Sequence, residues 1–307
     1  MRILIPVDGS KHSLAAVQFV ASHSSSVGGS PQIELLNVQA PIPSRAARVV
    51  GKAACTSYYE DEAQKALRPA LRVLKQAGLE AQGRYESGHA AEVIAAAASA
   101  KPRGKKTGAV DLLVMGSHGH GALMSLLMGS VTTSVLARTT VPLLLLRGSA
   151  PAAVARPKIA IAIDGSAYGL AAARYVIKHR DLFGDAAQVQ LVHVVPDFLG
   201  AYMPDMSGVA LPAFTPDEIK VMQDQAFERA MAPVRKLFAQ AQLATEEVRL
   251  VGAAGDALST YARKKKVDVL VMGSHGHGAL RQAVLGSVAT RVAAQCATPL
   301  LLIRKAN

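Results

Sequence analysis

The sequence predicts an α/β protein of two tandem doubly wound domains, each a Rossmann-like five-stranded parallel sheet flanked by helices. Three observations carry this. First, the chain is written twice. Ile5-Pro-Val-Asp-Gly-Ser10 returns as Ile161-Ala-Ile-Asp-Gly-Ser166, Val114 to Leu123 as Val271 to Leu280, and Val141 to Arg147 as Thr298 to Arg304. Second, short near-continuous apolar runs alternate with helix-length segments, the pattern of parallel strands covered on both faces. Third, 307 residues, half of them apolar, suffice for two cores.

Taken in order, residues 2–7 are an apolar run and predict the first strand, and Asp-Gly-Ser leads into a helix from Ser10 to about Ser26. Residues 33–38 predict the second strand, followed by a Pro-rich loop and a helix from about Thr56 to Ala77. A third strand near 80–86 precedes an Ala-rich helix from Ala90 to Ala100. Apolar runs at 110–115 and 141–147 predict strands four and five, with a helix from Ser130 between them. The proline that opens each fifth strand is acceptable at a first position. The second half repeats the order, with strands near 157–163, 188–195, 246–251, 267–272 and 299–304. Residues 101–109 read as a loop insertion in the first half, and 196–216 as a long loop rich in Gly, Pro and Met. The domains expected are residues 1–148 and 157–307, joined by a linker of small residues and proline over 149–156.

The net charge is +12, divided as +7 over residues 1–150 and +5 over 151–307. Both halves are basic without a concentrated arm, and aromatic residues are only 4% with no Trp. Stacking platforms for single-stranded nucleic acid are therefore poorly supplied, whereas a small polyanion such as a nucleotide suits the charge. The densest basic runs, Lys101 to Lys106 and Arg263 to Lys266, read as a solvated loop and a cationic helix end. Cys55 and Cys296 fall at non-equivalent places, which argues against a disulfide framework. The N-terminal run turns polar at Asp8, too soon for a signal peptide, and no apolar run is long enough to span a membrane. A cytoplasmic protein is expected.

The chemistry concentrates in a repeated glycine loop. Met115-Gly-Ser-His-Gly-His-Gly-Ala-Leu123, closed by Gly129-Ser130, recurs as Met272 to Leu280, closed by Gly286-Ser287. Each copy follows a strand and opens a helix, where backbone N–H groups and the helix dipole favour an anion. Gly116, Gly119, Gly129 and Ser130 would offer phosphates their N–H groups and a hydroxyl, as would Gly273, Gly276, Gly286 and Ser287. In doubly wound sheets ligands bind at carboxyl ends of strands where the order reverses, which would bring Asp8 and Asp164 into the same crevices. A carboxylate there suits a ribose hydroxyl, a base or a metal better than a phosphate. The plainer reading of Asp-Gly-Ser is a turn that caps the next helix.

This constellation resembles the universal stress protein family over essentially the whole chain. The pattern Gly-x2-Gly-x9-Gly-(Ser/Thr) is met by Gly116/Gly119/Gly129/Ser130 and by Gly273/Gly276/Gly286/Ser287. The strand-two ending His193-Val194 is also family-like, with Asn37 in place of His in the first half. The resemblance implies ATP, ADP or AMP, with Mg2+, in each half: adenine near Val38 or Val194, ribose near Asp8 or Asp164, phosphates along the loop. The residues so implied are Pro6, Val7, Asp8, Val38, Met115, Gly116, Ser117, His118, Gly119, Gly129, Ser130 and Val131. Their second-half counterparts are Ala162, Ile163, Asp164, Val194, Met272, Gly273, Ser274, His275, Gly276, Gly286, Ser287 and Val288. Ala162 in place of Pro6 is the one departure on the base side. The resemblance also implies antiparallel pairing of the fifth strands, here within one chain as an intramolecular pseudo-dimer, and allows a homodimer beyond it.

Other readings fare worse. His118-Gly-His120 and His275-Gly-His277 lack a carboxylate or Cys at useful spacing, a thin set for zinc. Gly-x4-Gly-Lys-(Ser/Thr) and Gly-x-Gly-x-x-Gly are both absent, and neither loop holds a lysine, so fast phosphoryl transfer is not expected. A binding or sensing module, its nucleotide occupancy read by a protein partner the sequence does not name, is preferred. A slow ATPase, or a carrier of a lipid or other small ligand with 196–216 as a lid, are the rivals.

Overall fold

The computed structural model describes residues 1–23, 31–100, 110–117, 128–148, 154–197, 215–276 and 285–304. The first half runs β1 (Arg2–Pro6), α1 (Lys11–His23), β2 (Gln32–Gln39), α2 (Ser44–Val50), α3 (Lys52–Gln76), β3 (Ala81–Ser87), α4 (Ala90–Ser99), β4 (Leu112–Gly116), α5 (Ser130–Arg138) and β5 (Leu143–Leu146). The second runs β6 (Lys158–Ala162), α6 (Ala167–Lys178), β7 (Gln188–Val195), α7 (Pro216–Gln240), β8 (Thr245–Val251), α8 (Ala254–Lys264), β9 (Val269–Gly273), α9 (Ser287–Gln295) and β10 (Leu300–Ile303).

All ten strands form one sheet in the order β3-β2-β1-β4-β5-β10-β9-β6-β7-β8. Pairing is parallel within each half, and β5 meets β10 antiparallel, Leu144 opposite Leu301. The order reverses between β1 and β4, and between β6 and β9. The expected fold and the expected fifth-strand pairing are both present. Pro142 and Pro299 stand just before β5 and β10, where their carbonyls still accept from Leu113 and Leu270, so neither ladder loses an acceptor.

Strand composition explains placement. The inner strands β5 (Leu-Leu-Leu-Leu) and β10 (Leu-Leu-Leu-Ile) are buried at every residue. The outer strands β3 and β8 alternate polar residues, and β3 carries Arg84, paired with Glu34 and Glu86. Charge at a sheet edge discourages pairing with another chain. One core layer lies under α1, α3, α6 and α7, the other under α4, α5, α8 and α9. Both layers take residues from both halves.

Two features depart from the sequence reading. The expected Pro-rich loop contains α2, which buries nothing and is separated from α3 by Gly51 at φ +84°. The helix expected from Thr56 therefore begins at Lys52. In addition, α3 and α7, each 25 residues, carry Pro69 and Pro233 in their interiors, each removing a helical N–H donor. The insertion at 101–109, most of the linker and most of the long loop at 196–216 lie outside the described residues. Among those described, no helix is long and apolar enough to cross a membrane, and Cys55 and Cys296 are free thiols.

Candidate functional site

The site begins at the carboxyl end of β6. Gly165 takes φ +79°, a conformation glycine adopts without a Cβ penalty, and this returns the Ser166 N–H to Asp164 Oδ1 at 2.9 Å. The Ser166 hydroxyl donates to the same oxygen at 2.6 Å while accepting from Gly169 N, so it caps α6. The first half builds the same turn: Gly9 at φ +81°, Ser10 N on Asp8 Oδ1 at 3.0 Å, and Ser13 N on Ser10 Oγ. Serine is thus the cap in both halves and aspartate braces the turn, each keeping an exposed carboxylate.

A neighbouring strand fixes where that turn leaves the sheet. His193 Nδ1 lies 2.6 Å from the Ile163 carbonyl, which can only accept, so Nδ1 carries the proton. In the first half Asn37 Nδ2 donates to the Val7 carbonyl at 2.8 Å. Asn for His therefore conserves the bond.

The glycine loop is tied at entry and exit. Ser274 N donates to Ile303 O at 2.9 Å, and Gly286 N donates back to Ser274 O at 2.8 Å. Ser117 N to Leu146 O and Gly129 N to Ser117 O repeat this at 2.8 and 2.7 Å. The sequence reading had Gly129 and Gly286 offering their N–H groups to an anion, but the structure uses both to close the loop. Among the described residues, the first turn of α9 offers further donors: Ser287, Val288 and Ala289, which have no intrahelical acceptor and follow Gly286, an N-cap without a side-chain bond. Gly116 and Gly273 serve packing. A Cβ at Gly116 would lie 2.6 Å from the His12 carbonyl oxygen, and one at Gly273 2.5 Å from Tyr168 Cβ. Gly276 sits so close to Asp164 that a Cβ would come within 2.7 Å of its Oδ2.

These elements enclose a cavity of about 390 Å3, within the roughly 300–1,000 Å3 common for small-molecule sites. All twelve second-half residues singled out from the sequence line it: Ala162, Ile163, Asp164, Val194, Met272, Gly273, Ser274, His275, Gly276, Gly286, Ser287 and Val288. Val192, His193, Ala254, Leu258, Leu285 and Ala289 complete the lining. Ala254 and Leu258 are one helical turn apart on α8. His275 Nδ1 is 3.0 Å from Ser274 Oγ, and its ring lies 5.3 Å from that of Tyr168.

In the first half, Val7, Met115 and Ser117 are buried, Pro6, Val38, Gly116 and Gly129 partly so, and Asp8, Ser130 and Val131 exposed. His118 and Gly119 lie outside the described residues, as do His120 and His277. Among those described, no three His, Cys, Asp or Glu side chains are grouped to hold a metal. A Mg2+ here would be held by Asp164 and by phosphate oxygens, which suits an ion that keeps several waters.

The fold and crevice define a tandem doubly wound α/β protein with its cavity at the strand reversal. The model of the universal stress protein family matches residues 1–147 and 156–304, and the chain belongs to that family. It is 27% identical to a universal stress protein of Mycolicibacterium smegmatis over 98% of this chain and 96% of that one. A universal stress protein structure from Archaeoglobus fulgidus covers 100% of this chain and 97% of its own, with a TM-score of 0.65 at 17% identity. A universal stress protein solved in complex with cAMP matches 50% of this chain and 100% of its own at 22% identity and a TM-score of 0.37.

Proposed function

We propose that residues 1–148 and 157–307 are two nucleotide-binding units, each taking ATP or another adenine nucleotide at its strand reversal, and that the chain is a stress-response binding module. The observation that carries this is the composition of the 390 Å3 cavity. Val192, Val194, Leu258 and Met272 supply apolar surface for a base. Asp164 supplies a carboxylate for ribose hydroxyls or for Mg2+ carried by the phosphates. The first turn of α9, from Ser287, supplies unpaired N–H groups and a dipole for phosphate. The described lining holds no lysine or arginine to neutralise charge on a transferring phosphoryl group. That favours binding over hydrolysis.

Native mass spectrometry of the purified chain, with ATP, ADP, AMP and cAMP added in turn, tests this. The expected result is up to two adenine nucleotides per chain and a rise in melting temperature with added ATP, since a ligand at one hundred times its Kd adds about 2.7 kcal/mol per site. No bound nucleotide and no thermal shift would overturn the reading.

A further inference from the structure

The two halves grip each other's site-forming helices by exchanging arginines. Arg147, directly after β5, donates from Nη1 to the carbonyls of Ala293 at 3.0 Å and Ala294 at 2.5 Å, in the last turn of α9. Arg304, directly after β10, donates from Nη2 to Leu136 O at 2.6 Å and from Nε to Thr139 O at 3.4 Å, at the end of α5. The last carbonyls of a helix have no intrahelical partner and carry the negative end of its dipole, so a guanidinium there is favoured twice over. The last turn of α9 has no basic residue of its own, whereas α5 has Arg138. Arg147 therefore supplies what α9 lacks.

Each arginine is also joined by the backbone to the glycine loop of its own half. Leu146, beside Arg147, accepts from Ser117 N, and Ile303, beside Arg304, accepts from Ser274 N. The helix that each arginine grips opens at the other half's crevice, α9 at Ser287 and α5 at Ser130. The path from the first loop runs Ser117, Leu146, Arg147, then along α9 to Ser287. The reciprocal path runs Ser274, Ile303, Arg304, then along α5 to Ser130. A nine-residue helix is only about 13 Å long, so a shift at its gripped end is carried to its N-terminus.

We propose that Arg147 and Arg304 are positioning residues that set the site-forming helix of the opposite half and thereby couple the two nucleotide sites. The coupling rests on the functional reading above; the crosswise tie does not. Two backgrounds isolate the sites, Val38→Trp filling the first crevice and Val194→Trp the second. With only the second site open, Arg147→Met weakens ATP binding about tenfold, as expected for loss of a charged cap, and Arg147→Lys restores most of it. With only the first site open, Arg147→Met changes affinity less than about twofold. Arg304→Met weakens the first site by less than Arg147→Met weakens the second, because Arg138 remains. In the unsubstituted chain the product of the two stepwise ATP association constants departs from the product of the two constants measured in the single-site backgrounds, and in the Arg147→Met/Arg304→Met chain it matches the product of that variant's own single-site constants.

Equal effects of Arg147→Met on both sites, or a product of stepwise constants in the unsubstituted chain equal to that of the single-site constants, would overturn the coupling. Hydrogen exchange without nucleotide separates this from failure of the functional reading. Arg147→Met should speed exchange over 287–295 and not over 130–138, with the reverse for Arg304→Met. If the unsubstituted chain binds no ATP, the functional reading and the coupling fall together. The tie then stands or falls on this crossed pattern, and exchange that rises equally in both helices, or in neither, overturns it.

Discussion

Asn37 and His193 occupy corresponding places on β2 and β7 and make the same bond, each donating to the carbonyl of the residue that follows the first strand of its half. The bond needs a donor of a given reach and does not need an imidazole. His193→Asn is therefore expected to melt close to the unsubstituted chain. His193→Leu leaves the buried Ile163 carbonyl without this donor and should cost about 1–3 kcal/mol, with weaker ATP binding beside it. Denaturant titration with and without ATP checks both.

The seam between halves carries a second kind of bond. Tyr175, buried on α6, donates its hydroxyl to the Asp111 carbonyl at 3.1 Å across the two halves. Burial pushes its phenol above the ordinary value, with Asp111 adding to the shift. Tyr175→Phe removes the bond and little volume, and should lower stability by about 0.5–1.5 kcal/mol. A denaturation midpoint unchanged by the substitution would show the bond to be of no consequence.

Gly273 is required by the approach of α6. Adding a Cβ 2.5 Å from Tyr168 Cβ and 2.9 Å from its backbone carbon leaves no room without moving the helix. Gly273→Ala is expected to cost about 1–3 kcal/mol through overpacking. At Gly286 the nearest atom to an added Cβ is 3.3 Å away, so Gly286→Ala should cost distinctly less. Thermal melts of the two variants give the ranking directly.

The pH dependence of stability follows from His23 and His179, at the ends of α1 and α6. Burial holds both imidazoles below their ordinary value of 6.5. It outweighs the Phe19 carbonyl and Asp268 at His23, and it works with Lys178 and the N-terminal amine, against Asp111 and Asp181, at His179. A base with a depressed folded-state pKa binds fewer protons folded than unfolded. Its contribution is whole above about pH 6.5, falls as the pH drops below that, and levels off beneath the depressed value. Each histidine contributes a slope of at most about 1.4 kcal/mol per pH unit. Melts between pH 7.5 and 5 should show the decline, and His23→Gln/His179→Gln should flatten it.

Most of the architecture could be read from residue patterns because the chain repeats itself. Leu143–Leu146 and Leu300–Ile303 are apolar at every position and too short for helices, as strands buried on both faces are, and the matched Asp-Gly-Ser and glycine loops marked the end of the sheet at which the second half's cavity opens. α2 escaped because its apolar residues make no buried face: Val49 is 86% exposed. That Gly129 and Gly286 spend their N–H groups inside the loop also escaped, because loop spacing does not reveal which N–H groups the backbone consumes. Gly286 and Ser287 are adjacent in sequence, yet only the second keeps its N–H, and that depends on the Ser274 carbonyl ten or more residues upstream. Arg147 and Arg304 could be seen as repeat-matched residues, but their partners in the opposite half exist only once β5 and β10 pair.

Asp164 separates the turn role from the ligand role. Its Oδ1 accepts from both the backbone and the hydroxyl of Ser166, and it also lines the cavity. Asp164→Asn keeps an oxygen for the Ser166 bonds, so the turn and the α6 cap survive and stability should change by less than about 1 kcal/mol. It removes the charge that would receive ribose hydroxyls or Mg2+, and hydrogen bonds to charged groups are worth about 1.5–3 kcal/mol. The expected result is ATP affinity at the second site reduced by about tenfold or more, in a protein that melts nearly as before. Calorimetric titration in the Val38→Trp background isolates that site. Affinity unchanged, or lost only in step with stability, would return Asp164 to a brace for the turn and move the ribose contact elsewhere in the crevice.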